Sequence, residues 1–171
     1  MKRSARCLET STDGSDGRGE KVMRIIEYFA STDKAHWLSE IAKSDWDAGQ
    51  YLSELLSEGK LGELVGEDVR VLMLTEGEEL IAFCTLAAKD DVQPTVLTPW
   101  IGWIYTFPKY RGRRLAGELL SCAEALAKSD GHESVHISTN HVGLYEKYGY
   151  TYYKTMKDVG GDDTRVYVKP L

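Results

Sequence analysis

The sequence has almost no cysteine, no long apolar run and no excess of positive charge, and each shortage removes a class of function. Its three cysteines, Cys7, Cys84 and Cys122, stand far apart, with no paired spacing of the metal-binding kind. No metal site or disulfide framework is expected, and the sparse, odd set fits reduced thiols and a cytoplasmic location. Cys84 and Cys122 fall in apolar patterns, as small core residues do. The longest apolar runs stop far short of the roughly 20 residues that a helix needs to cross a bilayer. A net charge of −6 argues against a general nucleic-acid binder, which needs a basic footprint. The first 21 residues lack the hydrophobic centre of a signal peptide. Rich in Ser, Thr, Gly and Asp, they are expected to form a disordered leader ahead of one domain over residues 22–171.

What is present is ordinary for a globular chain: 42% apolar residues, 28% charged, and a length that buries a real core. Period and punctuation give the elements. Residues 22–29 are expected as a first strand, then 34–43 and 46–57 as helices, the second capped by Asp45 and ended by Gly59. Residues 69–75 and 79–87 are expected to form a hairpin about Glu76 and Gly77, followed by a polar turn over 90–94. Residues 99–107 make a strongly apolar, aromatic strand. A helix follows over about 111–128, with Leu115, Leu119, Cys122, Ala123 and Leu126 on one face and Gly131 as its stop. The rest reads as strand 132–138, short helix 142–148, strand 150–156, a turn at Gly160 to Asp163, and strand 164–169. Strand–helix–strand in the middle makes that pair parallel, with a right-handed crossover. The hairpins make the others antiparallel. The sum is an α/β (α+β) fold: a mixed, mostly antiparallel sheet of about six or seven strands with about four helices on its faces.

The turn after the aromatic strand carries the chemistry. Lys109, Arg111, Arg113 and Arg114 place four cations in six residues, with no acid among them. A helix start adds unpaired N–H groups and a partial positive charge, and Gly112 and Gly117 allow an anion close to the backbone. That combination suits a pyrophosphate.

A second segment, Leu144-Tyr-Glu-Lys-Tyr-Gly-Tyr150, joins the first, Arg111-Gly-Arg-Arg-Leu-Ala116. Together they resemble the two motifs of the GCN5-related N-acetyltransferase (GNAT) superfamily, Gln/Arg-x-x-Gly-x-Gly/Ala and Leu-Tyr-Glu-Lys-x-Gly-Phe. The elements between them also arrive in the family's order. The resemblance is specific over about residues 100–152 and only topological over 22–91. It implies a central parallel pair of strands that splays apart, with the pantetheine arm of acetyl-CoA in the gap, pairing like an added strand with backbone groups of Ile104, Tyr105 and Thr106. It implies a pyrophosphate held by N–H groups of Arg111, Gly112, Arg113, Arg114, Leu115, Ala116 and Gly117, with charge from Arg111 and Arg113. Arg114 stands where the family places glycine. Arginine fits there at the negative φ of a helix and is strained at positive φ; it is read as a variant loop with extra phosphate charge.

The resemblance also implies that Tyr145 donates a proton to the leaving thiolate after direct attack of a primary amine on the thioester. Asn140 is placed to bond the pantetheine arm. The general base is the gap, because Trp100-Ile-Gly-Trp-Ile-Tyr-Thr-Phe107 carries no carboxylate. His141, where strand gives way to helix, is the candidate, while His136 alternates with Val135 and Ile137 as a structural residue would. On the acceptor side, the first two helices offer His36, Trp37, Asp45, Trp46, Asp47 and Tyr51, acids among aromatics that suit a cationic amine. Trp103 and Tyr105 share one strand face toward the same cleft. The implied partners are acetyl-CoA or another acyl-CoA and an amine, with room for a homodimer and none for nucleic acid or a membrane. Two other readings stand beside this one. One is an acyl-CoA-binding module without turnover. The other is a winged helix over 38–87, against which seven acids and three lysines between Asp33 and Gly66 count heavily.

Overall fold

The computed structural model describes residues 22–171, so the expected leader over 1–21, with Cys7, lies outside the described residues. Seven strands form one sheet: β1 (Met23–Glu27), β2 (Arg70–Glu76), β3 (Glu79–Ala87), β4 (Trp100–Thr106), β5 (Ser134–Thr139), β6 (Thr151–Lys157) and β7 (Asp163–Pro170), in the order β1-β2-β3-β4-β5-β7-β6. Every neighbouring pair is antiparallel except β4 and β5. Four α-helices cover it: α1 (Lys34–Ala42), α2 (Asp47–Glu58), α3 (Leu61–Val65) and α4 (Ala116–Ser129). The mixed sheet with its central parallel pair is the architecture that the spacing of the elements predicts.

Strand alternation divides the core in two. Leu72, Leu74, Cys84, Ile101, Val135 and Ile137 face α4 and pack on its Leu119, Ala123 and Leu126. Val71, Met73, Phe83 and Tyr105 point the other way, onto Ile41 of α1 and Leu52 and Leu55 of α2. Trp100, fully buried, packs with Val92 and Val166 in a third cluster that ties β4 to the β3–β4 connection and to β7. Cys84 and Cys122 both lie in the α4-side core, and burial pushes the Cys84 thiol up to about 12, as for an inert core residue.

Several boundaries depart from expectation, each for a local reason. The first strand ends at Glu27, whose carboxylate accepts from Ala30 N–H and starts a 3-10 turn over Tyr28–Ala30. Helix α2 begins at Asp47, not at 46, and Asp45 does not cap it: Trp46 occupies the cap position with no side-chain bond, and Asp45 instead receives the Tyr105 hydroxyl. Gly59 does end α2, in the left-handed conformation at φ 68°. Helix α3, five residues long, is too short to show a period, although Leu61 and Val65 are both buried. Residues 142–148 make only a 3-10 turn over Tyr145–Tyr148, because Gly143 sits at φ 84° just before it. The winged-helix reading fails on topology: the β2–β3 hairpin is interior to the sheet, flanked by β1 and β4, and has no free wing.

Strand β4 sets up the site. It pairs with β3 from Ala82↔Thr106 to Ala87↔Trp100, with Trp103 and Ile104 together opposite Cys84 in a bulge. Trp103 takes φ 47° there, which turns the strand. Its other edge meets β5 only at Trp100↔His136, where His136 N–H donates to Pro99 C=O at 3.1 Å. Past that pair the two parallel strands part.

Candidate active site

The wedge between β4 and β5 opens toward the loop 111–115, which leads into α4. The helix starts at Ala116 rather than at Arg111, so the glycine-arginine segment is a true loop. Gly112 takes φ 79°, with nothing within 4 Å of a Cβ built on it. Arg114 takes φ 56°, which decides between the two conformations left open for it: the position calls for the left-handed one, and arginine occupies it under strain.

Backbone bonding narrows the anion site. Arg111 N–H already donates to Pro108 C=O, Gly117 N–H to Arg114 C=O and Glu118 N–H to Leu115 C=O. The N–H groups of Gly112, Arg113, Arg114, Leu115 and Ala116 make no hydrogen bond among the described residues. Five consecutive amides at the head of a 14-residue helix thus remain available to an anion. Of the four cations, Lys109 pairs with Glu79, and Arg111 turns back, its Nε donating to Thr106 C=O at 2.9 Å and its guanidinium 3.9 Å from Asp45. Arg113 and Arg114 are exposed and have no ion pair among the described residues. Gly117 is required where it stands, because a Cβ there would come within 2.9 Å of Tyr148 Cε1.

The other predicted residues separate into groups. Ile104 and Thr106 are half-buried on β4, while the Tyr105 ring is buried, stacked on Trp46 at 5.7 Å and under the Arg111 guanidinium. Trp103 Nε1 donates to Ala48 C=O at 2.7 Å. These bonds, with Tyr105–Asp45, clamp the α1–α2 lobe onto β4. Of the acceptor-side candidates, Asp45 and Trp46 therefore sit beside β4, and Asp47 and Tyr51 are exposed. Trp37 is core, and His36 Nε2 is bound to Glu78 C=O at 2.7 Å. Tyr145 is buried on the α4 side, edge-on to Tyr150, and burial, with Cys84 and Tyr148 close by, pushes its phenol above the ordinary tyrosine range. It stays protonated at neutral pH. Asn140 and His141 are both exposed in the segment after β5, where the His141 carbonyl accepts from Tyr167 Oη. His136 is structural, as its alternation predicts: its Nδ1 lies 3.0 Å from Pro99 C=O, and burial lowers its pKa.

One candidate residue was not singled out by the sequence. Asp90, in the β3–β4 connection, lays its carboxyl against Gly102 of β4, with Oδ2 2.8 Å from where a Cβ would be. The signal available was the glycine itself, since a glycine inside an aromatic strand marks a close approach. Among the described residues no group of three or more metal-ligating side chains occurs, and no helix is long and apolar enough to cross a membrane.

Comparison with known proteins agrees with this geometry. The model of the acetyltransferase (GNAT) family matches residues 27–150. No protein of curated function matches the sequence. Among solved structures, an acetyltransferase from Streptococcus agalactiae is 20% identical, with a TM-score of 0.62 over 87% of this chain and 98% of its own. A GNAT family acetyltransferase from Elizabethkingia anophelis, with acetyl-CoA bound, is 16% identical, with a TM-score of 0.60 over 87% and 98%. An aminoglycoside 6'-N-acetyltransferase complexed with coenzyme A is 12% identical, with a TM-score of 0.60 over 85% and 96%. These likenesses are of fold. With the family match spanning most of its length, the chain belongs to the acetyltransferase (GNAT) family.

Proposed function

We propose that this protein is an acetyl-CoA-dependent N-acetyltransferase acting on a primary amine of a small molecule or peptide. The observation that carries the reading is the continuity of the β4–β5 wedge with the anion loop. The wedge closes at Trp100↔His136 and opens onto five amides and two arginines that have no partner among the described residues. A long, thin ligand with a pyrophosphate at one end and a thioester at the other fits this shape. The unpaired edge of β4 at Ile104, Tyr105 and Thr106 would pair with its pantetheine amides. Gly112 to Ala116 would hold the pyrophosphate, with Arg113 and Arg114 adding charge that suits a further phosphate. Asn140, exposed after β5, would bond the arm. Bound there, the thioester supplies an activated acyl group.

The chain's own residues then have two tasks. They must bring an amine to the closed end of the wedge, and they must manage protons. Tyr145, protonated at neutral pH, would donate to the departing thiolate. The clamp of Asp45, Tyr105 and Trp46 holds an acid and an aromatic face beside the cleft, which suits a cationic acceptor. The test is thiol release from acetyl-CoA across polyamines, aminoglycosides, amino acids and peptides, alongside calorimetric titration with coenzyme A. Thiol release that depends on one amine class is the expected result. Tight binding without release on any amine would reduce the protein to an acyl-CoA-binding module.

A further inference from the structure

Strand β4 carries no carboxylate, yet the fold brings one to it from another element. A Cβ built on Gly102 would lie 2.8 Å from Asp90 Oδ2 and 3.0 Å from its Cγ and Oδ1. The carboxyl of Asp90 therefore fills the space that a side chain on β4 would occupy. Alternation fixes the face: Ile101 points into the α4-side core, so Gly102 points to the opposite face, which carries α1 and α2. The connection that delivers Asp90 is pinned on both sides. Val92 packs on Trp100 and Val166, Trp100 Nε1 donates to Leu97 C=O at 2.8 Å, and Thr98 Oγ1 donates to Ala88 C=O at 3.0 Å.

Place in the wedge gives this carboxyl a purpose. Gly102 lies two residues past Trp100, the last point at which β4 and β5 are joined. A carrier anchored by its pyrophosphate at 112–116 and lying along β4 would run toward this apex. Tyr145 approaches the same region from the α4 face, among residues that include Cys84, opposite the β4 bulge. Asp90 and Tyr145 thus belong to opposite faces of the sheet.

We propose that Asp90 is the catalytic base of this protein, taking a proton from the acceptor's ammonium group at the apex of the wedge, on the face opposite Tyr145. The assignment rests on the acetyltransferase reading above. In balance, Asp90 accepts one proton from the ammonium, and the freed nitrogen lone pair forms the C–N bond. The C–S bond breaks with its electron pair left on sulfur. Tyr145 protonates that sulfur and recovers the second nitrogen proton through water, and Asp90 returns its own proton to solvent. The products are an amide, a thiol and one proton.

The surroundings suit the role. Burial, and then the charge of Asp91, push Asp90 up to about 7, against one hydrogen bond from Asp91 N–H. Asp91 is itself raised by burial and by Asp158, while the Ser138 hydroxyl lowers it. His136, beyond Trp100 on this face, is held low by burial, and no cation pairs with Asp90 among the described residues. A base near neutrality can both take the proton and return it.

The experiment compares full-length wild type with Asp90→Asn, Gly102→Ala and His141→Asn. Asp90→Asn is expected to lower kcat at pH 7 by at least about 100-fold with coenzyme A affinity unchanged. Its rate should keep climbing with pH toward the pKa of the amine, where wild type levels off above about 7. Gly102→Ala, whose methyl displaces the carboxyl, should fall nearly as far. A second reading needs no turnover. A carboxyl raised in the folded state lets the folded chain hold more protons than the unfolded one, so the stability contributed by Asp90 falls as pH rises from about 4 to about 7. The melting temperature of Asp90→Asn minus that of wild type should therefore grow across that window and level above it. Full turnover in Asp90→Asn, or loss in His141→Asn alone, overturns the assignment and leaves the acetyltransferase reading intact. A wild type with no thiol release on any amine overturns both.

Discussion

Replacing Arg114 by glycine should stabilise the free protein relative to the same change next door at Arg113, while both changes weaken coenzyme A binding. Arg114 sits at φ 56°, and Arg113 lies outside the left-handed region. Both side chains are exposed, without ion pairs among the described residues, so neither loses a contact in the free state. Glycine at either position frees the unfolded chain and costs about 0.5–1 kcal/mol. At 114 alone it also relieves left-handed strain of about 1–2 kcal/mol. The entropy term cancels in the comparison, leaving Arg114→Gly about 1–2 kcal/mol more stable than Arg113→Gly. For a chain of this length that is roughly 2–8 °C in melting temperature. Calorimetric unfolding of the two variants measures it. Titration with coenzyme A at low and high salt should show each variant binding several-fold to about tenfold more weakly, with the loss shrinking as salt rises. An Arg114→Gly protein that melts at or below Arg113→Gly would refute the claim that this backbone is strained. An unchanged affinity in both would remove the loop from the phosphate site.

Three further outcomes follow from the same structure. Tyr145→Phe should lower kcat about 10–100-fold while leaving coenzyme A affinity within twofold, because the ring keeps its packing and only the proton donor is lost; equal turnover would remove Tyr145 from the mechanism. Glu124 accepts from Tyr150 Oη and from Lys169 Nζ, each at 2.9 Å, in a largely shielded site. Glu124→Ala leaves an uncompensated ammonium there and should cost about 2–4 kcal/mol in denaturant unfolding, whereas a cost under about 0.5 kcal/mol would show the pair to be a solvated one. Gly117→Ala would ordinarily stabilise a helix, but its Cβ would meet Tyr148 Cε1 at 2.9 Å. A loss of about 1–3 kcal/mol with weaker coenzyme A binding is expected, and a gain in melting temperature would contradict the close approach.

The sequence by itself determined the sheet, its parallel pair and the cationic loop. Each is written in local terms: continuous apolar runs along 79–87 and 99–107, helical spacing from Leu115 to Leu126, and four cations beside two glycines. It also placed His136 and Cys84 as structural residues, because their neighbours in the chain already show which way they face. Tertiary structure decided what depends on groups distant in sequence. Arg114 could be helical or left-handed from its neighbours alone, and only the closure of the loop onto α4 selected φ 56°. Asp45 looked like a cap because aspartate before a helix usually is one, yet Tyr105, 60 residues away, claimed it. The amides of Arg111 and Gly117 looked available until their carbonyl partners came into view. The approach of Asp90 to Gly102 could not be seen at all, since nothing adjacent to Asp90 in the chain announces it. Local pattern fixes which face a residue presents, because that follows from the period of its own element. Which distant group meets it there is fixed only when the elements pack.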